Sequence, residues 1–148
     1  MAKLILLADD SPDDLASVQL ALKAADIGNP VLMLEDGSKV LAYLKGEGEY
    51  ANRELHPLPK ILLLDLNMPG IDGFDVLEWL NAESTLRNIL VIVISGHSGL
   101  REVNQAYALG ANSFLLKPAD PLEIRNLVKA FPEYWMLGGE PPDQRAPL

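Results

Sequence analysis

Apolar residues in this chain come in short unbroken runs, separated by longer stretches in which they recur every three or four positions. The runs are Leu4–Ala8, Val31–Leu34, Ile61–Leu64 and Ile89–Ile94, with a shorter one at Phe114–Leu116. A run without polar alternation predicts a strand buried on both faces, as in a parallel sheet. Between the runs, helical spacing links Leu15, Val18 and Leu22, then Val40, Leu41 and Leu44, then Phe74, Leu77 and Leu80. It continues through Val103, Ala106, Tyr107 and Gly110, and ends with Ile124, Leu127, Val128 and Phe131. Ser11-Pro12, Asp36-Gly37-Ser38 and Asp120-Pro121 have the composition of helix starts. A strand followed by a helix, repeated along the chain, predicts an α/β fold: a doubly wound five-stranded parallel sheet with helices on both faces. Right-handed crossovers then bring the carboxyl ends of the strands to one edge.

Two segments depart from the repeat. Residues 46–59 are polar, with Gly, Glu and Pro, and are longer than most helix-to-strand connections. They read as a surface insertion. After Phe131, Pro132 ends or kinks the last helix. Tyr134, Trp135, Met136 and Leu137 follow, and the Pro- and Gly-rich remainder reads as disordered. The expected organisation is one domain over 1–131 and an extension over 132–148.

The bulk numbers narrow the function classes. With 148 residues, 49% hydrophobic and 22% charged, the chain has an ordinary globular balance. A net charge of −9 works against direct nucleic-acid binding. Without cysteine there is no disulfide and no thiolate metal site. No apolar run approaches the length of a bilayer span, and Asp9-Asp10 follows the first run too early for a signal peptide. The expectation is a soluble cytoplasmic protein that uses no membrane.

Chemistry concentrates in Lys60–Gly73, where four apolar residues run into Asp65 and the chain then turns through Pro69-Gly70 and Asp72-x-Gly73. Asp65 therefore stands at the carboxyl end of a buried strand, where open α/β sheets place their ligands. Taken alone, an Asp there is more often a cap on a strand or on the next helix, and the other strand ends reverse that reading. The first strand ends in Asp9-Asp10, the fourth in Ser95 and the fifth in Lys117-Pro118. If the first and third strands are neighbours, Asp9, Asp10 and Asp65 converge, and their repulsion calls for a cation. An all-oxygen donor set selects a hard ion, Mg²⁺ first. The ensemble suits phosphoryl transfer to a carboxylate, with Asp65 as nucleophile, Mg²⁺ and Lys117 neutralising oxygens, and Ser95 holding the product.

Four blocks in order carry a resemblance: Leu6–Asp10, Leu64–Gly73, Val93–Gly96 and Gly110–Pro118. Together they resemble the response-regulator receiver domain family, that of the single-domain chemotaxis regulator. The resemblance covers roughly Lys3 to Phe131 and implies the flavodoxin-like strand order 2-1-3-4-5. It implies that Asp65 is the phosphoacceptor and that Asp10 binds Mg²⁺ directly, with Asp9 acting through water and Asn67 offering its backbone carbonyl. It further implies that Lys117 binds the phosphoryl group, that Ser95 and Phe114 are the switch pair, and that the Lys117-Pro118 peptide is cis. Such a protein catalyses its own phosphorylation and dephosphorylation and is not a conventional enzyme. The insertion and aromatic tail resemble small regulators paired with bacterial phytochrome histidine kinases. That points to a sensor histidine kinase and an unknown downstream protein as partners.

Plainer readings stand beside these. Ser95 could cap the fourth helix, and Phe114 could be core. Asp72 fits the turn before the third helix better than a metal site. His97 could tune phosphoryl lifetime or be a solvated loop residue, and His56 shows no partner. Gly46-Glu47-Gly48-Glu49-Tyr50-Ala51 matches a dinucleotide fingerprint in letters only, since it follows a helix and carries two glutamates. Two other functions compete: an aspartyl-phosphate phosphohydrolase and an unphosphorylated binding module. The first needs an acid where Asn67 stands; the second leaves the intact acid–lysine set without a use. The tail could fold back on its own core. The expectation is that it stays exposed and extends a homodimer contact through the fourth helix, fifth strand and fifth helix, where Arg101, Glu102, Glu123 and Arg125 offer both charge signs. With few residues after the last helix, no fused output domain is expected.

Overall fold

A computed structural model of the protein describes residues 3–96 and 99–137. His97 and the Pro- and Gly-rich end, 138–148, lie outside the described residues. The strands are β1 (Ile5–Ala8), β2 (Val31–Leu34), β3 (Ile61–Asp65), β4 (Leu90–Ser95) and β5 (Ser113–Leu116). They alternate with α1 (Pro12–Ala24), α2 (Gly37–Lys45), α3 (Gly73–Ala82), α4 (Leu100–Ala108) and α5 (Pro121–Ala130). All pairings are parallel and the sheet order is β2-β1-β3-β4-β5, as the resemblance implies.

The strands' apolar runs split by parity. Leu6, Ala8, Leu62, Leu64, Val91 and Val93 face α2, α3 and α4 through Val40, Leu44, Val76, Leu77 and Ala106. Ile5, Leu7, Ile61, Leu63, Ile92 and Ile94 face α1 and α5 through Leu15, Val18, Leu22, Ile124 and Leu127. Because strand side chains alternate faces, a run buried throughout needs helices on both sides. The predicted helix starts act as caps: Ser11, Asp36 and Asp120 each accept a hydrogen bond from a first-turn N–H. Asp72 and Asp75 form a reciprocal capping box on α3. Gly46 closes α2 in the left-handed region at φ 70°, which glycine adopts without a Cβ penalty.

The insertion is an organised module. Tyr43 Oη donates to Pro57 O at 2.7 Å. Arg53 donates to the α2 carbonyls of Tyr43 and Leu44 at 2.8 Å each, satisfying groups that a helix end leaves open. His56, expected without a partner, packs edge-on against Tyr43 and Tyr50 with ring centroids 6.0 and 5.3 Å away.

The tail divides: its two aromatic rings turn inward, while Met136 and Leu137 stay exposed. Trp135 is buried among the α1–α5 side of the core, and Tyr134 is half-buried. Asn29, also buried, donates through Nδ2 to Lys3 O (2.7 Å) and Tyr134 O (3.0 Å) and accepts from Met136 N–H (2.6 Å). Gly28 N–H donates to Met136 O at 2.6 Å, and Ile27 and Leu137 form an antiparallel bridge. The expected outward tail is corrected at Trp135 and in part at Tyr134, because burying a large indole against the core removes more apolar area from water than leaving it outside; Met136 and Leu137 do face outward as expected. The tail closes the edge opposite the strand carboxyl ends.

Candidate functional site: an acid cluster around Lys117

The register sets the site. Ala8 pairs with Leu64 and Asp65 with Ile94, so Asp9 follows β1 at the level of Asp65. Ser95 pairs with Leu116, and Lys117 N–H donates to Ser95 O at 2.8 Å. The Lys117-Pro118 peptide is cis, as the resemblance implies. After Asp65 the chain doubles back, and Gly73 N–H donates to Leu66 O at 3.0 Å. A Cβ on Gly73 would collide with the Asp65 and Leu66 backbone, so the first turn of α3 approaches the end of β3 through glycine alone.

One carboxylate oxygen from each of Asp9, Asp10 and Asp65 lies within 4.8 Å of the others. Asp9 and Asp65 are buried and Asp10 is exposed. Lys117 Nζ lies 2.6 Å from Asp9 Oδ2, 2.9 Å from Asp14 Oδ2 and 3.4 Å from Asp65 Oδ2. Burial, and then the neighbouring Asp9 charge, push the Asp65 carboxyl up to about 6 against the opposing pull of Lys117 and the Asn67 N–H. For Lys117 burial alone would lower the pKa, but the bonds to Asp9 and Asp14 and the charge of Asp65 raise it. The ammonium is therefore fixed as a cation.

Asp9 has both oxygens engaged: Oδ1 accepts from Ser11 N–H at 3.0 Å and Oδ2 holds Lys117. Asp10 is open to solvent at the cluster's mouth. The donors are hard oxygens in charge excess over the lysine, which fits a divalent Mg²⁺-type ion. Ser95 is fully buried as the last residue of β4. It lines a cleft of about 270 Å³ with Leu66, Asn67, Phe74 and Glu102. It does not cap α4, whose N-cap is Gly99. Phe114 is half-buried and packs against the α2–α4 side of the core. Asn67 is exposed, and its N–H donates to Asp65 Oδ1 at 3.3 Å. Asp72 caps α3. The residue that sequence reasoning missed is Asp14. The sequence shows Asp13 and Asp14 side by side in the first turn of α1, and nothing in it says which of the two turns to Lys117.

Comparison with known proteins finds relatives in both sequence and fold. Response regulator Rcp1 of Synechocystis sp. is 34% identical over 134 residues, which is 90% of this chain and 89% of that protein. A solved Mn(2+)-bound form of Rcp1 has a TM-score of 0.72 at 33% identity, covering 94% of this chain and 97% of that one. The bacteriophytochrome response regulator RtBRR superposes with a TM-score of 0.82 at 32% identity, over 96% of this chain and 85% of that one. The phosphorylated cyanobacterial phytochrome response regulator RcpA gives 0.75 at 33%, over 96% of this chain and 99% of that one. The model of the response regulator receiver domain matches residues 5–129. That match opens at the first residue of β1 and closes in the last turn of α5, taking in the whole doubly wound unit, and the chain belongs to this family as a receiver domain of two-component response regulators.

Proposed function

We propose that this receiver accepts a phosphoryl group on Asp65 from a sensor histidine kinase of phytochrome type and passes the signal on by a change in partner binding. The observation that supports this most is the buried Asp65 carboxylate, held 3.4 Å from the Lys117 ammonium and clustered with Asp9 and Asp10. An Asp65 oxygen forms the new O–P bond as the donor's P–N or P–O bond breaks, and the donor keeps the bonding pair. Lys117 neutralises a phosphoryl oxygen. Asp10, Asp65 and the Asn67 carbonyl are the candidate Mg²⁺ ligands, with Asp9 acting through water. A bound divalent ion there would spread the charge of the transferring group. Ser95 and Phe114 form the switch: the hydroxyl turns to the phosphoryl oxygens and the ring follows inward. A few kcal/mol of differential contact suffices for such a population shift. A cytoplasmic location goes with that kinase partner.

Transfer of labelled phosphate from a small acyl phosphate tests the acceptor. Labelling should require Mg²⁺ and disappear in Asp65→Asn, since an amide is not a nucleophile. Undiminished labelling elsewhere in that variant would overturn the assignment. Self-association belongs to the same reading. Leu100, Tyr107, Leu116 and Leu122 are exposed on α4, β5 and α5 and make the homodimer surface without help from the tail. Leu122→Arg should then lower the mass measured by light scattering, and an unchanged mass would exclude that face.

A further inference from the structure

Lys117 has three N–H donors and meets three carboxylates, of which the acceptor is the most distant. Asp14 Oδ2 is at 2.9 Å and Asp65 Oδ2 at 3.4 Å. Asp14 is aimed at the lysine by the start of α1. Ser11 is the N-cap and its Oγ accepts from Asp14 N–H at 3.3 Å, which fixes the backbone of Asp14 at the third helical position. An acid at that position ordinarily reaches back to the N–H of the capping residue, as Asp75 does to Asp72 in α3. In α1 that N–H is taken, because Ser11 N–H donates to Asp9 Oδ1. The Asp14 carboxylate is thereby released from capping and turned to Lys117. A small cleft of about 220 Å³, lined by Asp14, Ser17, Val18, Lys117, Pro118 and Ala119, adjoins the pair and gives the ammonium room on the α1 side.

We propose that Asp14 is a positioning residue that competes with the phosphoryl group for Lys117. This rests on Asp65 being the acceptor. The ammonium is shared among Asp9, Asp14 and Asp65, and the phosphorylated form must draw it off Asp14 to use it fully. Asp14 therefore slows phosphorylation and lowers the steady-state level of the aspartyl phosphate. No atom of Asp14 joins the reaction: the O–P bond forms at Asp65, and Asp14 acts only through the lysine.

The test compares Asp14→Asn with Asp13→Asn. Asp13 is an exposed neighbour on the same turn, so the two variants change the charge equally while one alone touches Lys117. Phosphorylation by acetyl phosphate with Mg²⁺ is followed together with the ¹⁵N signal of the Lys117 ammonium in the unphosphorylated protein. Asp14→Asn should raise the phosphorylation rate several-fold and move the Lys117 signal, and Asp13→Asn should do neither. Equal rates in the two variants would overturn the proposal, even with the lysine signal moved, because general repulsion of an anionic donor would then account for any gain. If wild type labels at a residue other than Asp65, the acceptor assignment fails. The lysine signal then decides separately whether Asp14 holds Lys117: an unmoved signal overturns that as well.

Discussion

Lys117 Nζ stands 2.6 Å from Asp9 Oδ2, so a buried acid and a largely buried base hold each other at the carboxyl edge of the sheet. Removing the cation would leave Asp9 and Asp65 without their shared counter-charge. Breaking a buried pair from one side costs about 3–5 kcal/mol. Lys117→Met should therefore lower stability at neutral pH by about that amount in a denaturant titration. A midpoint equal to wild type would mean that solvent already screens these acids.

Asp65 predicts a stability gain on neutralisation. Its carboxyl is raised from 3.8 to about 6 in the folded state. Between those values the folded protein holds a proton that the unfolded chain has released, so this group's contribution falls as pH rises and levels off above about 6. At neutral pH the accumulated cost is up to about 3 kcal/mol. In chelator, Asp65→Asn should be more stable than wild type at about pH 7, with the gap closing toward about pH 4. Paired thermal melts across that range check it, and a gap independent of pH would contradict it.

Metal affinity should depend unequally on the acid pair. Asp10 is exposed, while Asp9 spends one oxygen on Ser11 N–H and the other on Lys117. Asp10→Ala should weaken Mg²⁺ binding strongly and Asp9→Ala less, because water can replace an indirect ligand. Calorimetric titration of both variants decides this, and equal affinity in wild type and Asp10→Ala would refute the role of Asp10.

The tail should be structural. Trp135→Ala removes a buried indole and should cost about 3–5 kcal/mol. Asn29→Ala leaves Met136 N–H and the Lys3 and Tyr134 carbonyls without that partner, and should cost about 1–3 kcal/mol. Labelling at Asp65 should survive both changes at low temperature, since the tail lies at the other edge of the sheet. Denaturation midpoints unchanged in both variants would show the tail to be loosely held.

The sheet and its helices were legible because the runs of β1, β3 and β4 have no polar alternation, a pattern that a two-sided core explains; the edge strands β2 and β5 carry similar runs yet leave Met33 and Leu116 exposed. The edge residues were legible because a buried strand that stops on Asp65 or Ser95 places that side chain by register alone. Asp14 was not, because which of several acids at a helix start faces inward depends on who takes the Ser11 N–H, a contact across elements. The tail misled for a similar reason. Four large side chains in a row read alike for an interface and for a core, and Asn29, more than a hundred positions earlier, decides between them. His56 was opaque until Tyr43 and Tyr50 were seen beside it.

The clasp between Asn29 and the tail has a consequence for synthesis. The α1–β2 turn emerges from the ribosome early, yet the groups that satisfy Asn29 and pair with Ile27 come from residues 134–137. This corner therefore stays open until residues 134–137 have followed the last of the five strands out. A chain cut before Tyr134 would leave the Asn29 side chain and the Ile27 bridge without these partners, and its folded population would fall accordingly.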